Sequence, residues 1–121
     1  MFIYYNANPT GEKLPDCVIR ATSLATNIDY NVVIWLLEDI GNAFSCDDLC
    51  VDCYSKLLTE VFCFNEYYGY GRSVEEIAEN NQNNIVLIRI HGHLTCSVNG
   101  IIFDIWDCTK EECDRYWVVE R

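Results

Sequence analysis

Basic residues are scarce in this chain. Its 121 residues include eight Lys and Arg against 19 Asp and Glu, which gives a formal net charge of −11 at pH 7. Proteins that bind nucleic acid use Lys and Arg to displace counterions from phosphates, so nucleic acid is not expected as a partner. One alternative is an acidic surface that imitates a nucleic acid in the basic groove of another protein. The more ordinary interpretation is a charged surface that keeps the protein in solution.

Long hydrophobic runs are also missing. No apolar stretch approaches the roughly 18 residues that a membrane span requires, and no charged segment followed by an apolar core suggests a secretory signal. We therefore expect a cytoplasmic protein with no membrane partner. With two Pro, six Gly and no low-complexity tract, nothing indicates disorder or a linker, and residues 1–121 are predicted to form a single domain.

Cysteine is abundant, at eight residues. In the reducing cytoplasm these should be thiols or metal ligands rather than disulfides. Cys46, Cys50 and Cys53 have the spacing with which radical enzymes hold an iron–sulfur cluster, and Cys63 would be a fourth ligand. Such enzymes need a much longer chain, and the same spacing is typical of one buried helix stripe.

A zinc site is the other metal hypothesis. It would use these thiols, or His91, His93 and Asp104, but the paired Cys-x-x-Cys knuckles of zinc proteins are absent. We therefore predict neither a metal nor another cofactor.

Hydrophobic periodicity predicts helices in the first two thirds of the chain and strands in the last third. Met1–Asn8 fits a short strand or an extended arm, and 67–71 reads as a loop. The predicted helices are Asp16–Ile28, Asp29–Gly41, Asp47–Phe64 and Ser73–Asn80, the last opened by a capping box. The predicted strands are Ile85–Ile90, Leu94–Val98, Ile101–Trp106 and Tyr116–Glu120. Helices followed by an antiparallel sheet indicate the α+β class.

The dipeptide Asn99-Gly100 sets the register of the central hairpin. It is the preferred two-residue turn, so Val98 should lie opposite Ile101. His93 and Asp104 then share one face as diagonal neighbours, with backbones roughly 7 to 8 Å apart. Asp107 falls on the other face and is the weaker candidate partner.

The two faces of this hairpin differ in character. One is apolar and is predicted to be core, with Leu94, Cys96, Val98, Ile101, Phe103 and Ile105. The face of His93 is mixed, with Thr95, Ser97, Ile102, Asp104 and Trp106. We expect it to line a cleft while packing partly against the first helix.

A thiol, an imidazole and a carboxylate are the groups that catalysis by a cysteine nucleophile requires. The thiol must be activated by a base, which a third group orients. Cys17 begins a predicted helix with Asp16 as N-cap; the helix terminus should lower the pKa of Cys17, and the Asp16 carboxylate should oppose this. His93 is the candidate base, although His91 lies on the same strand face and competes for the role.

The motifs that carry these residues resemble a known family. Asn8-Pro9-Thr10-Gly11, Asp16-Cys17-Val18-Ile19-Arg20-Ala21, Gly92-His93 and Asp104-x-Trp106-Asp107 are similar to small phage and prophage proteins predicted to have a papain-like cysteine peptidase fold. The order Cys, His, Asp is shared, and so is a Tyr-Trp pair near the end. The Asp-Cys helix start is also similar to cell-wall peptidases of the NlpC type and to bacteriocin-leader peptidases.

The resemblance implies a role for each matching residue. Cys17 would be the nucleophile, His93 the general base, and Asp104 the group that orients the imidazole. Papain-like enzymes commonly carry a Gln about six residues before the nucleophile to bind the oxyanion, whereas this chain has Gly11 there. Substitute candidates for oxyanion or substrate binding are Asn6, Asn8 and Trp106.

Two functions follow as expectations. The first is a cysteine peptidase or related amide hydrolase, encoded by a phage and acting on a peptide or protein substrate in the host cytoplasm. The second is a binding protein without catalysis on the same fold, for example a phage inhibitor of a host defence system. Such a protein would use its acidic surface, including Asp47, Asp48 and Asp52, to occupy a host protein partner.

Overall fold

Most helices precede most strands along the chain in a computed structural model that describes residues 1–119. The strands are β1 Phe2–Tyr4, β2 Asn65–Tyr68, β3 Ile85–Ile90, β4 His93–Val98, β5 Ile101–Asp104 and β6 Arg115–Val119. The helices are α1 Cys17–Thr26, α2 Tyr30–Phe44, α3 Val51–Lys56 with a π-helical continuation over Leu57–Val61, and α4 Val74–Glu79. The predicted α+β class is confirmed. Glu120, predicted to end the last strand, lies outside the described residues.

The six strands form one mixed sheet in the order β1-β5-β4-β3-β6-β2. Every neighbouring pair is antiparallel except β1 and β5, which are parallel. The prediction of a purely antiparallel, C-terminal sheet is therefore wrong, because β1 and β2 join it from earlier in the chain. Tyr67 and Tyr68, assigned to a loop by the sequence, belong to the edge strand β2.

The register of the central hairpin is as predicted. Val98 lies opposite Ile101 and Cys96 opposite Phe103. Asn99 and Gly100 both have positive φ, at 52° and 82°, as a type I′ turn requires. This register places His93 at the start of β4 and Asp104 at the end of β5, on neighbouring strands.

Helices cover both faces of the sheet. The first three helices bury Leu94, Cys96 and Leu87 on one face. On the other face α4 packs with Ile102 and Val86. The expectation that α1 packs on the same hairpin face as Ile102 is wrong, because α1 covers the apolar face and leaves the opposite one to α4.

Cys46 and Cys53 form a disulfide. The prediction that all cysteines are thiols or metal ligands is wrong for this pair. The helix predicted from Asp47 begins only at Val51, so Cys46 lies outside the helix and comes within 5.7 Å of Cys53, measured between Cα atoms.

None of the helices within residues 1–119 combines the length and the apolar character needed to cross a membrane.

The disulfide predicts a thiol count. Denatured protein prepared without reductant should expose the six free cysteines to Ellman's reagent, and all eight after reduction. Cysteine-to-serine replacement at both Cys46 and Cys53 should leave the unreduced count at six. Eight reactive thiols before reduction would contradict the bond.

Candidate active site

The fold brings Cys17, His93 and Asp104 together. Cys17 is the first residue of α1, His93 the first of β4, and Asp104 the last of β5. The His93 Nε2 atom lies 2.7 Å from Asp104 Oδ2. The imidazole and the Cys17 thiol line the same two clefts, and the imidazole lowers the pKa of the thiol. With Nε2 committed to Asp104, Nδ1 is the ring nitrogen left for the sulfur.

Asp16 occupies the N-cap position of α1 as predicted, but its side chain makes no capping hydrogen bond. Its carboxylate instead accepts hydrogen bonds from Arg20 Nε at 2.6 Å and from the Tyr30 hydroxyl at 2.6 Å. The amide of Asn8 donates a third. The charge beside Cys17 is therefore neutralised by a buried guanidinium rather than by helix capping.

Asp104 is buried and fully hydrogen-bonded. Its Oδ1 accepts from Arg20 Nη1 at 3.0 Å and from the Ile105 backbone N–H at 2.7 Å, while Oδ2 faces His93. Cys108, also buried, points its Sγ at Oδ2 from 4.0 Å. Burial alone would raise the pKa of Asp104, but the hydrogen bond and the charge of His93 lower it, so the carboxylate stays ionised beside the imidazole.

The electrostatics around Cys17 favour its thiolate. Burial opposes ionisation, but the hydrogen bond with His93 and the charges of His93 and Arg20 lower the pKa of the thiol. Burial also disfavours the imidazolium, yet hydrogen bonds with Asp104, Cys108 and Cys17 raise the pKa of His93 to about 11. The two shifts together favour a thiolate–imidazolium pair, which is the reactive form of a cysteine nucleophile.

Two clefts meet at Cys17 and share Val18, Leu49, Gly92 and His93 in their walls. The Cys50 cleft, of about 270 Å³, is completed by Cys50, Val51, Tyr54 and Arg89. The Trp106 cleft, of about 380 Å³, is completed by Leu14, Pro15, Arg20, Ile105 and Trp106. Although the chain is strongly acidic, no Asp or Glu lines either cleft within residues 1–119.

Trp106, a predicted oxyanion- or substrate-binding residue, lies beside His93. Its ring centroid is 5.0 Å from that of His93, and the side chain remains 41% exposed. The indole thus forms part of the wall of the Trp106 cleft and shields the imidazole from one side. Its predicted role in binding stays a prediction.

Asn6 and Asn8 are engaged within the N-terminal loop. The Asn8 amide nitrogen donates to Asp16 and Tyr30, and its oxygen accepts from Thr10. The Asn6 amide nitrogen donates to the Glu12 carbonyl. In this conformation the Asn8 donors are used structurally, and Asn6 holds the loop rather than the site.

The two weaker candidates lie elsewhere. His91 is exposed and lines a separate surface cavity with Tyr70 and Asp114. Asp107 accepts hydrogen bonds from the backbone and hydroxyl of Thr109. Of the two histidines and the two carboxylates weighed from the sequence, only His93 and Asp104 meet.

Sequence reasoning missed Arg20 and Cys108. Arg20 follows Asp16 by one helical turn, a spacing that indicates an ion pair and could have identified it. Cys108 comes to His93 only through the path of the chain after β5, for which the sequence offers no signal.

A metal ion could be held by His93, Asp104 and Cys108, whose ligand atoms lie within 4.8 Å of one another. This is the only such group among residues 1–119. The zinc hypothesis with His91 is not supported, since His91 lies apart from His93. The iron–sulfur hypothesis loses Cys46 and Cys53 to the disulfide.

Comparison with other proteins does not assign this chain to a family. The Asp-Cys helix start, the Gly-His strand start and the Asp-x-Trp-Asp segment remain the basis of the resemblance to phage proteins of papain-like fold. Comparison with models of protein families, with curated proteins and with solved structures finds no match.

Proposed function

We propose that this protein is a papain-like cysteine hydrolase that cleaves an amide bond in a peptide or protein, with Cys17 as nucleophile, His93 as general base and acid, and Asp104 as the orienting carboxylate. The observation that carries the proposal is the 2.7 Å contact between His93 Nε2 and Asp104 Oδ2, made while the same imidazole interacts with a thiol at a helix start. The resemblance to phage proteins supports the same roles.

The first half of the reaction is acyl transfer to sulfur. The Cys17 thiolate attacks the carbonyl carbon, a C–S bond forms, and the carbonyl electron pair moves to oxygen. When the tetrahedral intermediate collapses, the C–N bond breaks and the imidazolium of His93 gives its proton to the departing amine. The product is a thioester on Cys17 and a neutral imidazole.

The second half uses water. Neutral His93 removes a proton from a water molecule, whose oxygen attacks the thioester carbon. Collapse breaks the C–S bond, releases the carboxylic acid and restores the thiolate–imidazolium pair. Asp104 stays ionised throughout and holds the ring by its Nε2 proton.

The helix start supplies one donor for the developing oxyanion. The first N–H groups of an α-helix have no partner within the helix, and Cys17 is the first residue of α1. The positive end of the helix dipole also favours negative charge at this point. Both effects stabilise the thiolate in the resting protein and the oxyanion in the transition state.

The walls of the clefts indicate the substrate. Leu14, Ile105 and Trp106 offer apolar contact on one side of Cys17, and Arg89, which is paired with Asp114, lies on the other. Because no carboxylate lines either cleft within the described residues, the acidic composition does not extend to the walls around the thiol. We therefore propose a peptide with an apolar residue beside the scissile bond, without a requirement for basic residues.

The proposal predicts catalytic turnover of an activated ester. Wild-type protein should release more than one p-nitrophenolate per chain from p-nitrophenyl acetate, because His93 activates water to hydrolyse the acetyl-Cys17 thioester. Cys17→Ala should lose this turnover, whereas Cys63→Ala, which removes an exposed thiol, should keep it. Release that stops at one acetyl group per thiol, or continues in Cys17→Ala, would contradict the proposal.

A binding protein is the second candidate, favoured by an acidic surface concavity away from Cys17 that Glu38, Asp47 and Asp48 line. This function predicts that Cys17→Ala keeps the biological effect, while reversal of the charges of Asp47, Asp48 and Asp52 destroys it. The opposite pattern supports the hydrolase.

A further inference from the structure

Arg20 is a charged residue buried at the centre of the site. It is 6% exposed, and its guanidinium reaches Asp16 Oδ1 through Nε at 2.6 Å and Asp104 Oδ1 through Nη1 at 3.0 Å. Burying a charge is unfavourable, and only pairing and hydrogen bonding offset the loss of water. Two carboxylates from distant parts of the chain supply that pairing here.

The pairing divides the two oxygens of Asp104. Oδ1 is taken by Arg20, so Oδ2 is the oxygen left for His93. The guanidinium is itself fixed between two carboxylates, because its Nε donates to Asp16 while its Nη1 donates to Asp104. Arg20 therefore sets the direction from which the orienting carboxylate meets the imidazole.

The same guanidinium compensates Asp16, whose carboxylate is next to Cys17 in the chain. An unpaired carboxylate at that position would disfavour the thiolate. With Arg20 between Asp16 and Asp104, the two negative charges of this network are balanced by Arg20 and by the imidazolium of His93.

We infer that Arg20 is a positioning residue of the proposed site, which aligns Asp104 with His93 and neutralises Asp16 so that Cys17 ionises. The inference rests on the proposed function, since an ionised Cys17 matters only if the sulfur is a nucleophile. Arg20 itself need not touch the substrate, because it is buried and donates hydrogen bonds to Asp16 and Asp104.

Several titratable groups lie around Cys17, and all of them contribute to the charge balance that sets its ionisation. On α1 and the residue before it these are Arg20 and Asp16, on α3 and its N-cap Tyr54 and Cys50, and on the sheet His93 and Arg89. Tyr54 is neutral at ordinary pH, because burial raises its pKa to about 12. Arg89 is paired with Asp114. Loss of the Arg20 charge therefore changes the electrostatic environment mainly at Asp16, Asp104 and the Cys17 sulfur.

The test is the pH profile of alkylation of Cys17 by iodoacetamide, read by peptide mass mapping with the exposed Cys63 as internal reference. Arg20→Met should move the midpoint of the Cys17 profile upward by about one pH unit or more, the size expected when an opposite charge is lost nearby. Asp16→Asn should move it downward, since it removes the negative charge and leaves Arg20 in place. Arg20→Gln, which keeps a donor without the charge, should also shift the midpoint upward and serves if Arg20→Met does not fold.

Tyr30→Phe is the matched control. It removes one hydrogen bond to Asp16 but no charge, so the network loosens while the midpoint stays where it is. A purely structural role for Arg20 predicts shifts of the same sign in the Arg20 and Asp16 variants, or none. Either result, with wild-type Cys17 still reacting faster than Cys63, overturns this inference alone. A wild-type Cys17 that reacts no faster than Cys63 at pH 6 overturns the proposed function as well.

Discussion

Replacement of His93 by alanine should lower the turnover of p-nitrophenyl acetate by about 10²- to 10⁴-fold, the range that a positioned general acid–base contributes. Without the imidazole, the thiol loses the partner that lowers its pKa, and no base remains to activate water against the thioester. Alkylation of Cys17 at pH 6 should fall as well, by about tenfold. The loss is only this large because, although the wild type has more thiolate at this pH, its low-pKa thiolate is a weaker nucleophile. Both rates are measured on the same preparations.

His91→Ala is the control for this replacement. His91 lies two residues away but lines a different cavity and is exposed, so turnover and alkylation should match those of the wild type. Equal losses in the two variants would show that the effect is not specific to the site. A fully active His93→Ala would remove the general base from the proposed mechanism.

The contact between His93 and Asp104 could be predicted because it depends on local chemistry. The turn at Asn99-Gly100 fixes the register of β4 and β5 without reference to the rest of the chain. Once the register is fixed, the alternation of side chains selects Asp104 over Asp107. The helix start at Cys17 could also be predicted from the local sequence, whereas the use of the Asp16 side chain for Arg20 and Tyr30 instead of a cap could not.

The parts that failed depend on contacts between distant segments. β1 pairs with β5 from the other end of the chain, and no local pattern in Phe2–Tyr4 specifies that partner or its parallel direction. Gly41 was predicted to end α2, yet the helix runs to Phe44. A Cβ at Gly41 would lie 3.0 Å from the Cys46 carbonyl oxygen, so this glycine permits a close approach of the following loop and does not end the helix.

The role of Arg20 shows the same limit. Its pairing with Asp16 is an i,i+4 contact that the sequence contains, but its pairing with Asp104 spans 84 positions. Only the packing of α1 against β4, the strand that pairs with β5, brings the second carboxylate to the guanidinium. The sequence therefore predicts the three chemical groups and their order, whereas the network that orients them requires the fold.

Asp104→Ala should have the largest effect on stability, a loss of about 3 to 5 kcal/mol in the free energy of unfolding, because it removes one partner of a buried ion pair. Arg20 would keep only Asp16, and the Ile105 N–H would lose its acceptor. Urea denaturation measures the loss directly. Asp107→Ala, which removes an exposed carboxylate bonded to Thr109, should cost far less.

The pH dependence of that stability difference separates an ion pair from simple packing. The pKa of Asp104 is lowered in the folded protein, so its contribution is present above the unfolded value of about 3.9 and disappears as the pH falls further. The pKa of His93 is raised to about 11; its contribution is complete below about 6.5 and is lost as the pH rises towards 11. The difference between wild type and Asp104→Ala should therefore be largest between about pH 4 and 6.5 and shrink on both sides, whereas a packing defect would give a difference independent of pH.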